Sequence, residues 1–216
     1  TKLRNTFITY LFLFFVSIPV FSQEKKVLDQ LTFSMNFKLP KTILNPSFKN
    51  MIFGVANIDA QLQYEFFDKL EIGIGYKYGY YDVNSLAFQT KVDGQMENHN
   101  PFLKIGINNV LNERIFMNLS IKGGYNYGFT KINTCNENYL QNSFRLEPEF
   151  SIWMYSTENL AFGLLVSYNF WFSEFTPANF CMTNFPGMNP SNSKGIYQVF
   201  CAGFGFYTHF PQKQQY

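Results

Sequence analysis

The sequence predicts an all-β chain, an eight-stranded antiparallel transmembrane up-and-down β-barrel preceded by a signal peptide. Three observations point there. A short apolar run near the start has the layout of an export leader. Beyond residue 30, apolar and polar residues alternate with a period of two, the spacing of a strand with unlike faces. The connections between alternating stretches are short and long by turns.

The leader comes first. Lys2 and Arg4 give it a positive start, and the apolar run 7–21 is broken only by Thr9 and Ser17. Val20 and Ser22 stand at −3 and −1 of a cut before Gln23. The run is too short and wrongly flanked for a membrane helix, and the alternative is a buried N-terminal strand or helix. No cysteine lies near the cut, which argues against a lipoprotein anchor. The expected division is signal peptide 1–22, periplasmic N-terminal segment 23–30, barrel 31–210 and periplasmic tail 211–216. Without the leader the chain keeps 15 basic and 15 acidic residues, so it lacks the basic excess that nucleic acid binding needs. Aromatics make up 20% of the residues, yet no later apolar run is long enough for a spanning helix. The apolar surface must therefore be dispersed along strands.

The strands follow in order. Phe33, Met35, Phe37 and Leu39 alternate with polar residues in the first, and Ile58, Ala60, Leu62, Tyr64 and Phe66 in the second. The third sets Leu70, Ile72, Ile74, Tyr76, Tyr78 and Tyr80 against Glu71, Gly73, Gly75, Lys77 and Gly79. The fourth is weaker, with Leu103, Ile105 and Ile107. Alternation is strong again around Leu119, Ile121, Tyr125 and Tyr127 in the fifth and Phe144, Leu146, Phe150 and Ile152 in the sixth. Phe162, Leu164, Val166 and Tyr168 mark the seventh, and Phe200, Ala202, Phe204, Phe206 and Phe210 the eighth. Pro148 removes a ladder donor in strand six, where a bulge is expected.

Short connections fall at 67–69, 110–114 and 156–159, and long ones at 40–54, 81–100, 131–142 and 173–194. Short periplasmic turns with longer outer loops characterise outer-membrane barrels. A secreted lipocalin is the structural competitor, with its apolar face turned inward. Here the large apolar side chains of one face exceed what so narrow an interior could hold, and the other face is rich in Gly, Ser, Asn and charges. Tyr76, Tyr78, Tyr80, Tyr125, Tyr127 and Tyr168 cluster at the outer ends, and Tyr64, Phe66 and Phe210 at the inner rim, as two aromatic girdles require.

In architecture the chain resembles the small outer-membrane barrels of the OmpA-transmembrane and OmpX type over residues 31–210. Its leader, ending Val20-Phe21-Ser22-Gln23, resembles those common in Bacteroidota. The segment 203–210, alternating and ending in Phe210, resembles the closing-strand signal read by the barrel assembly machinery, although six residues follow it. The resemblance implies outer-membrane lipids and that machinery as partners, and no cofactor. No peptidoglycan-binding domain follows the barrel, so a wall tether is not implied.

The inward charges are the most informative candidates. Lys38, Asp59, Lys77, Lys104, Lys122, Glu147 and Glu149 share one level, Arg145 lies slightly above, and Glu65 and Glu71 lie near the base. Charges in a narrow barrel are costly unless paired, so an interlocked network is expected, with an ion-selective pore as the alternative. His99 and His209 stand at opposite ends, and His99 has Glu97 and Asn100 nearby but no convincing Ser, which argues for a solvated loop residue rather than a catalytic one. No Cys/His cluster has metal-ligand spacing. Phe175, Phe180, Met182, Phe185 and Met188 in the last loop, with Ile43, Leu44, Phe48, Met51 and Ile52 in the first, form either a docking patch for a protein partner or a cap of packed loops. Cys135 and Cys181 lie in the third and fourth long loops, on one side of the barrel, and either pair or remain free with Cys201. The expected function is that of a non-enzymatic outer-membrane barrel acting through its extracellular loops in surface interaction, envelope integrity or as accessory to a membrane complex. A narrow porin-like channel for small solutes or ions is the alternative, and a lipid-modifying enzyme a third reading.

Overall fold

A computed structural model describes residues 31–66, 69–87, 92–133, 135, 139–177, 181 and 196–209. The expected leader, the segment 23–30, Phe210 and the tail 211–216 lie outside the described residues, as do Phe180, Met182, Phe185 and Met188. Eight strands run in chain order: β1 (Leu31–Leu44), β2 (Ile52–Phe66), β3 (Leu70–Val83), β4 (Gly94–Val110), β5 (Ile115–Ile132), β6 (Tyr139–Tyr155), β7 (Leu160–Glu174) and β8 (Ile196–His209). A short helix, α1 (Pro46–Met51), separates β1 from β2. Each strand pairs antiparallel with the next, and β1 closes on β8. Closure leaves no sheet edge, so every strand finds ladder partners on both sides within the wall.

The period-two pattern decides which face is which. In β2, Asn57, Asp59, Gln61, Gln63 and Glu65 are buried, whereas Leu62, Tyr64 and Phe66 are exposed. The same holds around the barrel: Leu39 and Leu164 are each 72% exposed, and Phe204 and Ile74 each 61%. Polar residues thus fill the middle of the interior and apolar ones cover the exterior, the reverse of a soluble protein. Only a lipid environment makes that arrangement stable.

Two inner turns fall where expected, and 67 and 68 of the third lie outside the described residues. Leu111 N donates to Ile115 O (2.9 Å) and Ser156 N to Leu160 O (2.8 Å), closing the β4–β5 and β6–β7 turns. The first two outer connections are tighter than the sequence predicts. β1 and β2 extend into the expected loop 40–54 and leave only Asn45 and α1 between them. Asn45 adopts φ 68°, its side chain accepts from Phe48 N (3.2 Å), and Pro46 follows at the first turn, so a one-residue corner starts the helix. β4 begins at Gly94, well inside the expected loop 81–100. Its upper residues, Gln95, Glu97, Asn98, His99 and Asn100, are polar on both faces, so hydrophobic periodicity vanishes although the ladder to β3 and β5 continues. Pro148 makes no bulge. Toward β5 it stands opposite Ile121, and toward β7 the register of Leu146–Phe170 resumes unchanged at Glu149–Ser167. Irregularities occur instead at Thr42/Leu44, Gly54/Ala56 and Trp171/Glu174, all toward the outer end.

Candidate functional site: a lumen filled at three levels

The middle of the lumen is ionic. Lys38 Nζ lies 2.9 Å from Asp59 Oδ2 and 3.0 Å from Glu147 Oε1, and also pairs with Glu149. Lys122 Nζ bridges Asp59 (3.3 Å) and Glu149 (2.9 Å) from the other side and stands over the Phe102 ring at 5.2 Å. Lys77 donates to Glu147 (3.0 Å), which also pairs with Arg145 and accepts from Ser167 Oγ (2.7 Å). Arg145 donates to Asn169 as well. These side chains come from β1, β2, β3, β5, β6 and β7, and they form one continuous net across the bore. A second, lower group joins Lys104 to Glu71 (2.5 Å) and to Gln63 Oε1 (2.6 Å). Asn108 Nδ2 donates to both Glu65 and Glu71 at 3.2 Å, and Asn118 Nδ2 to Glu71 at 2.6 Å. All ten expected lumen charges are therefore buried in the interior. Each cation has a carboxylate partner, which a low-dielectric bore demands.

Below the ionic layer lies an aromatic floor that the sequence reading misses. Phe116, Trp153, Leu165 and Tyr207 point inward and are buried, with Ala161 beside them. Phe116 stacks on Trp153 (6.2 Å) and meets Tyr207 edge-on (5.3 Å). Trp153 Nε1 donates to Ser151 (2.8 Å), so its one polar atom is satisfied. Gly163 faces Trp153 across the β6–β7 ladder, and a Cβ there would come within 2.5 Å of the indole. His209 closes the level through Tyr155 Oη, 2.8 Å from its Nε2.

Above the ionic layer sits an apolar cap. α1 drives Phe48 and Met51 into the mouth, where both are fully buried. Phe48 stacks on Tyr197 (4.5 Å) and meets Phe175 (5.5 Å) and Trp171 (6.0 Å). Tyr81, Met96 and Val199 complete the layer, with Cys201 at its underside. Cys201 accepts from Asn57 Nδ2 (3.3 Å) and Asn169 Nδ2 (3.2 Å), at the junction of cap and ionic net. Cys135 and Cys181 are joined by a disulfide with Cα atoms 5.6 Å apart, and Cys135 packs against the cap.

Phe175 departs from the docking-patch expectation: it is 1% exposed and belongs to the cap. Phe48 of α1 and Tyr197 of β8 meet its ring at 5.5 Å and 5.6 Å, an apolar environment that solvent does not offer. Ile52 likewise is buried, whereas Leu44 stays exposed. His99 is also relocated. It is a strand residue of β4 opposite Tyr78 and Tyr127, facing outward, with Tyr76 Oη bonded to its Nδ1.

No protein-family model and no curated protein matches the sequence. Solved structures do. Neisserial surface protein A superposes with a TM-score of 0.54 at 10% identity, over 83% of this chain and 97% of that one. The attachment invasion locus protein Ail of Yersinia pestis gives 0.48 at 12% identity, over 85% and 100%. The N-terminal β-barrel domain of OprF from Pseudomonas aeruginosa gives 0.46 at 13% identity, over 85% and 100%. The fold is that of the small outer-membrane barrels. At such low identity the likeness extends to the fold alone, and the apolar exterior supplies the rest: this is an outer-membrane β-barrel, crossing the lipid with eight strands.

Proposed function

We propose that the protein is a non-enzymatic, non-conducting outer-membrane barrel that works from its outer face, in surface interaction, envelope integrity or as accessory to a membrane complex. The observation that carries this reading is the filling of the lumen at three successive levels: aromatic floor, ionic net and apolar cap. A solute would have to displace buried aromatic rings and break ion pairs that have no water to replace them. What remains for function is the outer end, where α1 and the disulfide between the third and fourth outer connections fix the loop bases. A fixed platform lowers the ordering cost of binding a partner. The same reading takes the leader as a Bacteroidota-type export signal. It takes the alternating end of β8 as the part presented to the barrel assembly machinery.

Conductance decides the matter. Purified protein reconstituted into planar bilayers should give no stable current steps. Regular ion-selective steps would overturn the closed-barrel reading and favour a narrow porin-like channel.

A further inference from the structure

The outward wall of β3, β4 and β5 departs from the rest of the exterior. Above the apolar belt, paired residues form three successive rows across the three strands, Tyr78–His99–Tyr127, Tyr80–Glu97–Phe129 and Asp82–Gln95–Lys131, with Tyr76 paired to Pro101 just below them. Their polar groups are linked. Tyr80 Oη donates to Gln95 Oε1 (3.1 Å), and Gln95 Nε2 donates to Glu97 Oε1 (3.0 Å). Glu97 Oε2 lies 4.0 Å from His99 Nε2, and His99 Nδ1 meets Tyr76 Oη. The His99 ring is held between Tyr78 (5.3 Å) and Phe129 (5.6 Å). Above the apolar belt this carboxylate and imidazole stand at the height of lipid headgroups, whose charges can answer them.

Directly beneath this ladder the wall is hollowed into an apolar groove of about 800 Å³. Its floor is low because Ala60 and Gly123 stand where neighbouring outward positions carry Leu62, Ile74, Leu103 and Phe144. Its axis follows the register Phe33–Leu62–Ile74–Leu103–Gly123, across the strands and rising from β1 toward β5 and β6. Four strand spacings of ~4.8 Å make it about 19 Å long. One leaflet contributes only ~15 Å to the hydrocarbon core, so a whole acyl chain fits along it. Tyr76 and Tyr125 form its upper lip, and Tyr76 also belongs to the ladder.

We propose that groove and ladder together bind one phospholipid with a primary-amine headgroup. The acyl chain lies in the groove. The phosphate meets the hydrogen-bonding groups of the Tyr76, Tyr78 and His99 rows, and the ammonium meets Glu97 and Asp82 above them. Charge selects this occupant. The outward positions of these rows hold two carboxylates and a single cation, Lys131, so the ladder suits a zwitterion and disfavours a headgroup with negative charge only. The site lies on the outside of the wall and does not depend on the lumen being closed. Its failure would therefore leave the proposed function standing, and conductance in bilayers would leave this site standing.

Native mass spectrometry of the intact barrel, released from micelles holding equal amounts of dioleoyl phosphatidylethanolamine and dioleoyl phosphatidylglycerol, tests it. The expected spectrum shows one retained phosphatidylethanolamine per barrel. Glu97→Gln removes a charge-assisted contact and should lower the retained fraction about tenfold. Gly123→Leu fills the groove from a position whose Cβ meets nothing nearer than the Phe144 ring tip at 3.9 Å, so the fold survives while retention is lost. Heat-modifiable migration verifies that each variant is a folded barrel, and either variant suffices if the other fails to fold. Equal retention of the two lipids, retention unchanged in a folded variant, or a dimer mass with no lipid would overturn the proposal.

Discussion

At the scale of residues, the ionic net is held by a few side chains that each serve two strands or more. Lys122 is a clear case, because from β5 it reaches the same two carboxylates, Asp59 and Glu149, that Lys38 reaches from β1. Lys122→Ala would leave the two buried carboxylates sharing Lys38, one cation for two charges, at a cost of about 3–5 kcal/mol. Urea unfolding in lipid vesicles should show this loss, followed by the fluorescence of Trp153 and Trp171, which both lie in the lumen. A midpoint equal to that of the parent would mean that the net carries no stability. The ten charges of the interior were legible in the sequence, because a charge in one phase of an otherwise apolar alternation can only point inward in a membrane barrel. Their pairing was not, since it depends on how six strands stagger around the axis.

At the scale of elements, the seam between β1 and β8 joins the two ends of the sheet, and its contact is close. A Cβ at Gly203 would fall 2.0 Å from the Phe37 carbonyl oxygen, a backbone atom that cannot give way alone. Gly203→Ala should therefore raise the fraction of chains that fail to close, read as loss of the fast-migrating folded band on unheated gels. An unchanged band would show that the seam relaxes freely. The strand faces were readable because lipid and lumen enforce opposite polarity at every step. Reading stopped where that rule lapses. Ile115-Phe116-Met117, Ile152-Trp153-Met154 and Phe170-Trp171-Phe172 are apolar in both phases, and the middle residue of each is an inward aromatic of floor or cap. Such local loss of alternation inside a barrel strand is the signal that could have revealed both layers. The opposite lapse, polar in both phases at the top of β4, concealed a strand as a loop. Helix α1 is too short to leave a periodic trace at all.

At the scale of the whole molecule, the barrel is a layered solid rather than a tube. Strands of 14 to 18 residues exceed the ~9–11 that a tilted crossing needs, so the wall rises beyond the lipid and carries the cap above it. Closure on all sides makes the native state migrate compactly without heating and more slowly once boiled. The protein should show that shift and fractionate with outer membranes; recovery as a freely soluble species would refute the lipid-facing assignment of its exterior.

The position of Cys201 gives the molecule a built-in clock. With Cys135 and Cys181 joined, it is the single free thiol, fully buried at the underside of the cap. No reagent reaches it until Phe48 and its neighbours lift, so its labelling rate in the folded barrel counts how often the mouth breathes. Each tenfold slowing relative to an unprotected thiol corresponds to about 1.4 kcal/mol of opening free energy. The tie between Cys135 and Cys181 spans 46 residues, and in the loop-entropy model such a tether is worth roughly 3–4 kcal/mol. Replacing both by Ser should therefore quicken labelling of Cys201 by two orders of magnitude or more, if breathing proceeds through the linked loops. A rate indifferent to the tether would mean that the lid opens from the α1 side instead, hinged at Asn45.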